Sequence, residues 1–121
     1  MIELRVLSLD GFQWPSGDGM DVAMLDIRPE IIEARFGVEF QRGADDLDYV
    51  RELAILLPSG HPVVLVWHER APVPGLEVRC DVGVPAAVAR QEVLAALEVR
   101  DDRVIWAPDD SGYWHRFTAR P

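Results

Sequence analysis

The chain has a single cysteine, Cys80, and therefore cannot form an internal disulfide bond. This fits the reducing cytosol, where thiols stay reduced. The first ten residues, MIELRVLSLD, lack the basic segment and the long apolar run of a signal peptide. The longest strongly apolar stretches, 53–58 and 62–67, fall far short of the roughly 20 residues that a membrane-spanning helix needs. We therefore expect a cytoplasmic protein without a membrane segment.

The sequence motifs of several common chemistries are also absent. The three histidines do not have the spacing of a zinc site, and Cys80 has no nearby cysteine. The Gly-x-Ser-x-Gly elbow, the acidic spacing of an EF-hand and the glycine patterns of nucleotide-binding loops do not occur. We therefore expect no metal and no cofactor, and we favour a role other than catalysis.

The length and composition are those of one globular domain covering residues 1–121. The chain has 121 residues, of which 49% are hydrophobic and 27% charged. A chain of this size is too short for two ordinary domains but long enough to bury a core.

The charge is strongly acidic, with 12 basic and 21 acidic residues and a net charge of −9. Such a charge repels phosphate backbones and anionic membranes, so neither is an expected direct partner. It attracts basic proteins and raises their rate of association. The alternative is that acidity only keeps a small protein in solution.

Alternating and helical hydrophobic patterns predict an α+β domain. The sheet is expected to be mixed or mainly antiparallel, with about 6–7 strands and two main helices packed on one face. The first and last strands are candidates for the sheet edges. Strands are predicted near 2–9, 22–27, 38–41, 63–67, 76–82, 104–106 and 113–117, with helices at 30–36 and 86–97.

The segment 47–57 has two interpretations. Leu47, Val50, Leu53 and Leu57 recur at helical spacing, and Asp45 or Asp46 would cap a helix. We favour this helix. The alternative is a strand over 51–57 that forms a hairpin with the next strand.

Four tryptophans are many for so small a domain. Trp67 and Trp106 lie in apolar strand patterns and are predicted to be buried. The others lie in loops or turns, where exposed aromatic rings beside carboxylates are typical of protein-binding hot spots. The alternative is that the loop tryptophan folds over the edge of the core, and that paired aspartates serve only in caps and turns. The candidate partner-binding residues are Trp14, Asp18, Asp109, Asp110, Tyr113 and Trp114.

A second candidate site would use polar residues that are distant in sequence. His68, Glu69, His115 and Asp26 are its candidate members. His68 and Glu69 are adjacent in a strand, so their side chains point to opposite faces and cannot form a dyad. Cys80 is in register with Leu76, Val78 and Val82 and is predicted to be a buried core residue rather than a nucleophile.

These features favour an acidic protein-interaction module that binds and blocks a basic protein partner. In its bulk properties the chain is similar to the immunity proteins that neutralise bacterial toxins, which implies a bacterial, cytoplasmic protein with a toxin as its partner. The alternatives are a small enzyme or ligand-binding domain, and a structural subunit that assembles through an exposed sheet edge.

Overall fold

A computed structural model describes residues 3–44, 49–109 and 111–117 of the chain. They form an α+β domain with one open, antiparallel, eight-stranded sheet and two α-helices. The elements in chain order are β1 (Arg5–Leu7), β2 (Gly19–Leu25), α1 (Pro29–Phe36), β3 (Gln41–Ala44), β4 (Tyr49–Leu56), β5 (Pro62–His68), β6 (Leu76–Asp81), α2 (Ala86–Leu97), a 3₁₀ turn (Asp101–Arg103), β7 (Val104–Pro108) and β8 (Trp114–Arg116).

The strand order is β1-β4-β5-β6-β2-β7-β8, and β3 pairs with β4 beyond this path. The prediction that the first and last strands lie at the sheet edges is confirmed. β4, β5 and β6 are joined by short connections, which suits antiparallel neighbours. Met20 pairs with Cys80 and Leu25 with Leu76, so β2 lies beside β6 although α1 and three strands separate them in sequence.

The predicted helix over 47–57 is wrong, and the strand alternative is correct for this segment. Leu53 and Ile55 face one side of the sheet, while Val50 and Ala54 face the other, and all four are buried. A strand that is buried on both faces loses its polar alternation, and its apolar run then also fits helical spacing. The proposed caps Asp45 and Asp46 lie outside the described residues.

The third predicted strand, 38–41, starts later than expected, since β3 begins at Gln41. Phe40 is buried in the core just before it, and its backbone N–H donates a hydrogen bond to the Glu33 carboxylate at 2.9 Å. β4, which replaces the predicted helix, gives the sheet eight strands instead of the expected six or seven.

Buried side chains form two clusters. The larger includes Leu25, Ile55, Leu65 and Val78 from the central strands, with buried residues of both helices. The smaller lies on the other face of β4 and β5, where Leu7, Leu9, Phe12 and Trp14 cover it. We call this second side of the sheet the outer face. That both helices pack on one face stays a prediction.

The two helices begin and end by different means. Pro29 opens α1, where its missing N–H costs nothing, and Gly37 ends it in the left-handed conformation with φ 66°. α2 ends at Glu98, which adopts φ 56° without being glycine. The Arg35 guanidinium donates hydrogen bonds to the carbonyls of Leu97 and Glu98 at 2.8 and 2.9 Å. A side chain of α1 therefore supplies donors to carbonyl groups at the end of α2.

Candidate functional site

The β7–β8 hairpin is held by the carboxylate of Asp109. Its Oδ1 accepts hydrogen bonds from the N–H and hydroxyl of Ser111 at 2.9 and 2.6 Å and from the N–H of Tyr113 at 3.1 Å. Its Oδ2 lies 2.6 Å from Nε2 of His115. The Ser111 hydroxyl, with His115 and the two N–H groups, lowers the pKa of Asp109 to about 2. Asp109 therefore shapes the turn that presents the aromatic residues, while Asp110 lies outside the described residues.

Three aromatic side chains of this hairpin reach solvent. Tyr113 is 73% exposed, Trp114 41% and Trp106 38%. Trp106 pairs with Arg116 and Pro108 pairs with Trp114, so both tryptophans lie on the outer face, opposite the buried Ala107. The hairpin thus combines a fixed turn with exposed aromatic rings.

The prediction that Trp106 is a core residue is wrong. The pairing of β2 with β7 is irregular between Met24 and Leu25, and Val104 and Ala107 take the core positions. This shift turns Trp106 to the outer face beside Met24. The corresponding prediction for Trp67 is confirmed, since that side chain is 5% exposed.

A groove of about 600 Å³ lies between the hairpin, the start of β2 and the β6–α2 connection. Asp21, Val82, Asp109 and Trp114 are among its lining residues. The N–H of Val82 donates to the carbonyl of Asp18 at 3.1 Å, which places Asp18 beside the groove. Three of the predicted partner-binding residues, Asp18, Asp109 and Trp114, therefore border one concave surface, with Tyr113 next to them in the chain. We call it the hairpin groove.

Trp14 is half-buried and helps to cover the smaller core cluster. Its indole packs edge-on against Phe12, with ring centroids 4.9 Å apart. It also lies directly over Gly19, where a β-carbon would overlap the ring. The loop tryptophan therefore folds back on the sheet, and its contribution to partner binding stays a prediction.

Asp81 fixes the Trp14 loop to the end of β6 and was not singled out from the sequence. Its carboxylate accepts hydrogen bonds from the N–H and hydroxyl of Ser16 at 2.8 and 2.6 Å and from the N–H of Gly83 at 2.8 Å. These bonds, the Ser16 hydroxyl first, lower its pKa. In the sequence, this role of Asp81 is indicated by an aspartate at the end of an alternating strand, followed two residues later by glycine.

The outer face carries a polar cluster of which only His68 was singled out from the sequence. Asp21 Oδ1 lies 3.2 Å from Nε of Arg79, and His68 Nε2 lies 3.6 Å from Oε1 of Glu77. Partial burial raises the pKa of both carboxyls, and the charge of Asp21 raises that of Glu77 further. These residues come from β2, β5 and β6, so their proximity depends on the strand order, which the sequence does not reveal.

The four residues of the alternative polar site have four different partners. His68 lies near Glu77, and Glu69 forms an ion pair of 2.5 Å with Arg51. His115 pairs with Asp109. Asp26 Oδ2 lies 3.7 Å from Arg103. These ion pairs do not link the four residues to one another.

Cys80 is a core residue, as predicted. It is 2% exposed, and burial raises the pKa of its thiol to about 12. Such a thiol carries almost no thiolate at neutral pH and is a poor nucleophile.

Within residues 3–44, 49–109 and 111–117, no three histidine, cysteine or acidic side chains come together as a metal site. Neither helix in this part of the chain is long and apolar enough to cross a membrane.

Comparison with protein-family models, curated proteins and solved structures finds no match.

Proposed function

We propose that this protein is an acidic protein-interaction module that binds and blocks a basic protein partner through the hairpin groove. The observation that carries the proposal is the display of Tyr113 and Trp114 on a turn fixed by Asp109, beside a groove that Asp21 lines and Asp18 borders.

Aromatic anchors contribute most where they are held in position before binding, because little conformational entropy is then lost. Four acceptor interactions of Asp109 restrict the turn from which Tyr113 and Trp114 project. The net charge of −9 would steer a basic partner toward this surface.

The more specific form of the proposal is a bacterial, cytoplasmic immunity protein whose partner is a toxin. A toxin that acts on nucleic acids needs a basic active site, and an acidic groove with aromatic anchors is suited to cover one. Nucleic acid itself would be repelled by this chain.

The proposal is tested by affinity capture from native lysate with the wild type and matched variants, followed by measurement of the affinity for the captured protein. Tyr113→Ala and Trp114→Ala should each weaken binding by about tenfold or more, as hot-spot residues do. Tyr49→Ala removes another exposed tyrosine, 61% accessible, and should leave binding unchanged.

The proposal fails if no basic protein is captured. It also fails if the captured protein binds all three variants equally, because the interface would then lie elsewhere on the chain.

A further inference from the structure

A second groove lies at the opposite end of β2, where that strand leads into α1 and where α2 leads into β7. It encloses about 510 Å³. Its basic lining residues are Arg28, Arg35, Arg100 and Arg103, and we call it the arginine groove.

The groove brings several arginines together in a chain that is acidic overall. All 12 basic residues of the protein are arginines, and four of them line this one groove, against the two carboxylates Asp26 and Glu98. Carboxylates outside the lining balance part of this charge, since Glu30 lies near Arg28 and Asp102 near Arg100. Four guanidinium groups nevertheless line one groove of a chain whose net charge is −9.

Arg28, Arg100 and Arg103 are each paired with an exposed carboxylate. The shortest of these contacts joins Arg100 to Asp102 at 2.5 Å, with side chains 82% and 53% exposed. Arg28 lies 3.6 Å from Glu30, whose shorter contact of 2.8 Å is with Arg51. Arg103 lies 3.7 Å from Asp26, and both side chains are mostly exposed. Solvent-exposed pairs of this kind contribute little. A ligand anion that reaches two guanidinium groups at once can therefore replace them.

The rest of the groove combines one fixed arginine with an apolar surface. Arg35 is held by the carbonyls of Leu97 and Glu98, which joins the two helices behind the groove. Ile31 is 47% exposed there, and Val99 and Ile27 lie beside it. An exposed isoleucine beside guanidinium groups offers contact to an apolar group as well as to an anion.

We propose that the arginine groove binds a small anionic ligand. A phosphate or carboxylate group would contact Arg28, Arg100 and Arg103, whose planar guanidinium groups match both anions. An apolar body would pack on Ile31 and Val99. This site is separate from the hairpin groove and does not depend on the proposed partner.

The test uses phenyl phosphate and benzoate, which share a ring and differ in the anion, with inorganic phosphate as the ring-free probe. Titration of ¹⁵N-labelled protein should give saturable amide shifts confined to residues 26–35 and 98–103. The Arg100→Gln/Arg103→Gln variant should bind about tenfold more weakly or worse. Ile31→Ala should weaken phenyl phosphate but not inorganic phosphate.

Arg5→Gln/Arg116→Gln removes two exposed arginines at the sheet edges and changes the net charge equally, so it should bind like the wild type. Whichever of phenyl phosphate and benzoate binds more tightly identifies the anionic group that the groove prefers. Absence of saturable shifts with all three probes, or equal weakening in both double variants, would overturn the proposal.

Discussion

At the scale of single residues, Asp109 has a role that its exposure conceals. It is a surface aspartate in an acidic turn, yet its carboxylate accepts from Ser111, Tyr113 and His115. It therefore maintains the shape of the hairpin, and a substitution there would alter the presentation of Tyr113 as well as the surface charge.

The lowered pKa of Asp109 predicts a pH dependence of the hairpin. A carboxyl whose pKa is lower in the folded state stabilises that state above its unfolded pKa, near 3.8, and loses this effect as the pH falls through its folded pKa of about 2. The amide signals of Ser111 and Tyr113 should therefore shift together between about pH 3 and pH 1 in an NMR titration, with a midpoint near pH 2.

Asp109→Asn keeps the size of the side chain but removes its titration. The variant should show no such shift in the same pH range, and its Tyr113 amide should resemble that of the acid form. A transition that persists in Asp109→Asn would assign the pH dependence to another group.

Gly19 is the residue that lets Trp14 cover the sheet. Because a β-carbon there would overlap the indole, Gly19→Ala should displace the ring and lower the free energy of unfolding by about 1–3 kcal/mol. Urea denaturation measures the loss, and a red shift of tryptophan fluorescence reports the displaced ring.

Gly43→Ala provides the matched control, since a β-carbon at Gly43 would meet Val50 only at an ordinary contact distance of 3.6 Å. In a Trp14→Ala background, Gly19→Ala should lower the free energy of unfolding much less than it does in the wild type. Equal costs in both backgrounds would show that the two residues act independently.

At the scale of elements, the ends of the two helices differ in conformational cost. Both Gly37 and Glu98 are left-handed, with φ 66° and 56°, but only glycine adopts this conformation without steric penalty. Glu98→Gly should raise the free energy of unfolding by about 0.5–1 kcal/mol, and Gly37→Ala should lower it by about 1 kcal/mol.

Thermal and urea denaturation of both variants test this pair. The two changes in the free energy of unfolding should have opposite signs. Glu98→Gly removes a β-carbon from a left-handed residue, whereas Gly37→Ala adds one. If Glu98→Gly instead destabilised the protein, the contacts of the Glu98 side chain would contribute more to the free energy of unfolding than its left-handed backbone conformation removes.

The elements also show how far the sequence predicts the fold. α2 and β6 were predicted nearly to the residue, because each has one buried and one polar face. β4 was not, because both of its faces are buried. Trp106 was misplaced because an irregular pairing with β2 shifts the alternation, and such a shift has no local sequence signal.

The sites follow the same distinction. The sequence places Asp109 and Trp114 together because one turn holds both of them. His68 was singled out without Asp21 and Glu77, because these three residues come from three strands. The arginine groove was missed for the same reason, since its arginines come from two separate stretches of chain, 28–35 and 100–103.

At the scale of the whole molecule, the net charge of −9 predicts fast, salt-dependent association with a basic partner. Asp18→Lys reverses a charge beside the hairpin groove while leaving the Asp109 turn intact. It should lower the association rate constant for the captured partner several-fold and flatten its dependence on ionic strength.

Asp10→Lys changes the net charge equally at an exposed position of the β1–β2 connection, and stopped-flow kinetics can compare the two variants. A surface that binds through the hairpin groove should respond more to Asp18→Lys. Equal effects would mean that overall charge, rather than local charge, sets the rate.

The position of Cys80 has a consequence for how the domain opens. This thiol is the only one in the chain, lies on a strand inside the sheet and is 2% exposed. A thiol-specific reagent can therefore react only in molecules in which the core around Cys80 has opened. The rate of that reaction therefore measures the opening of the core under native conditions.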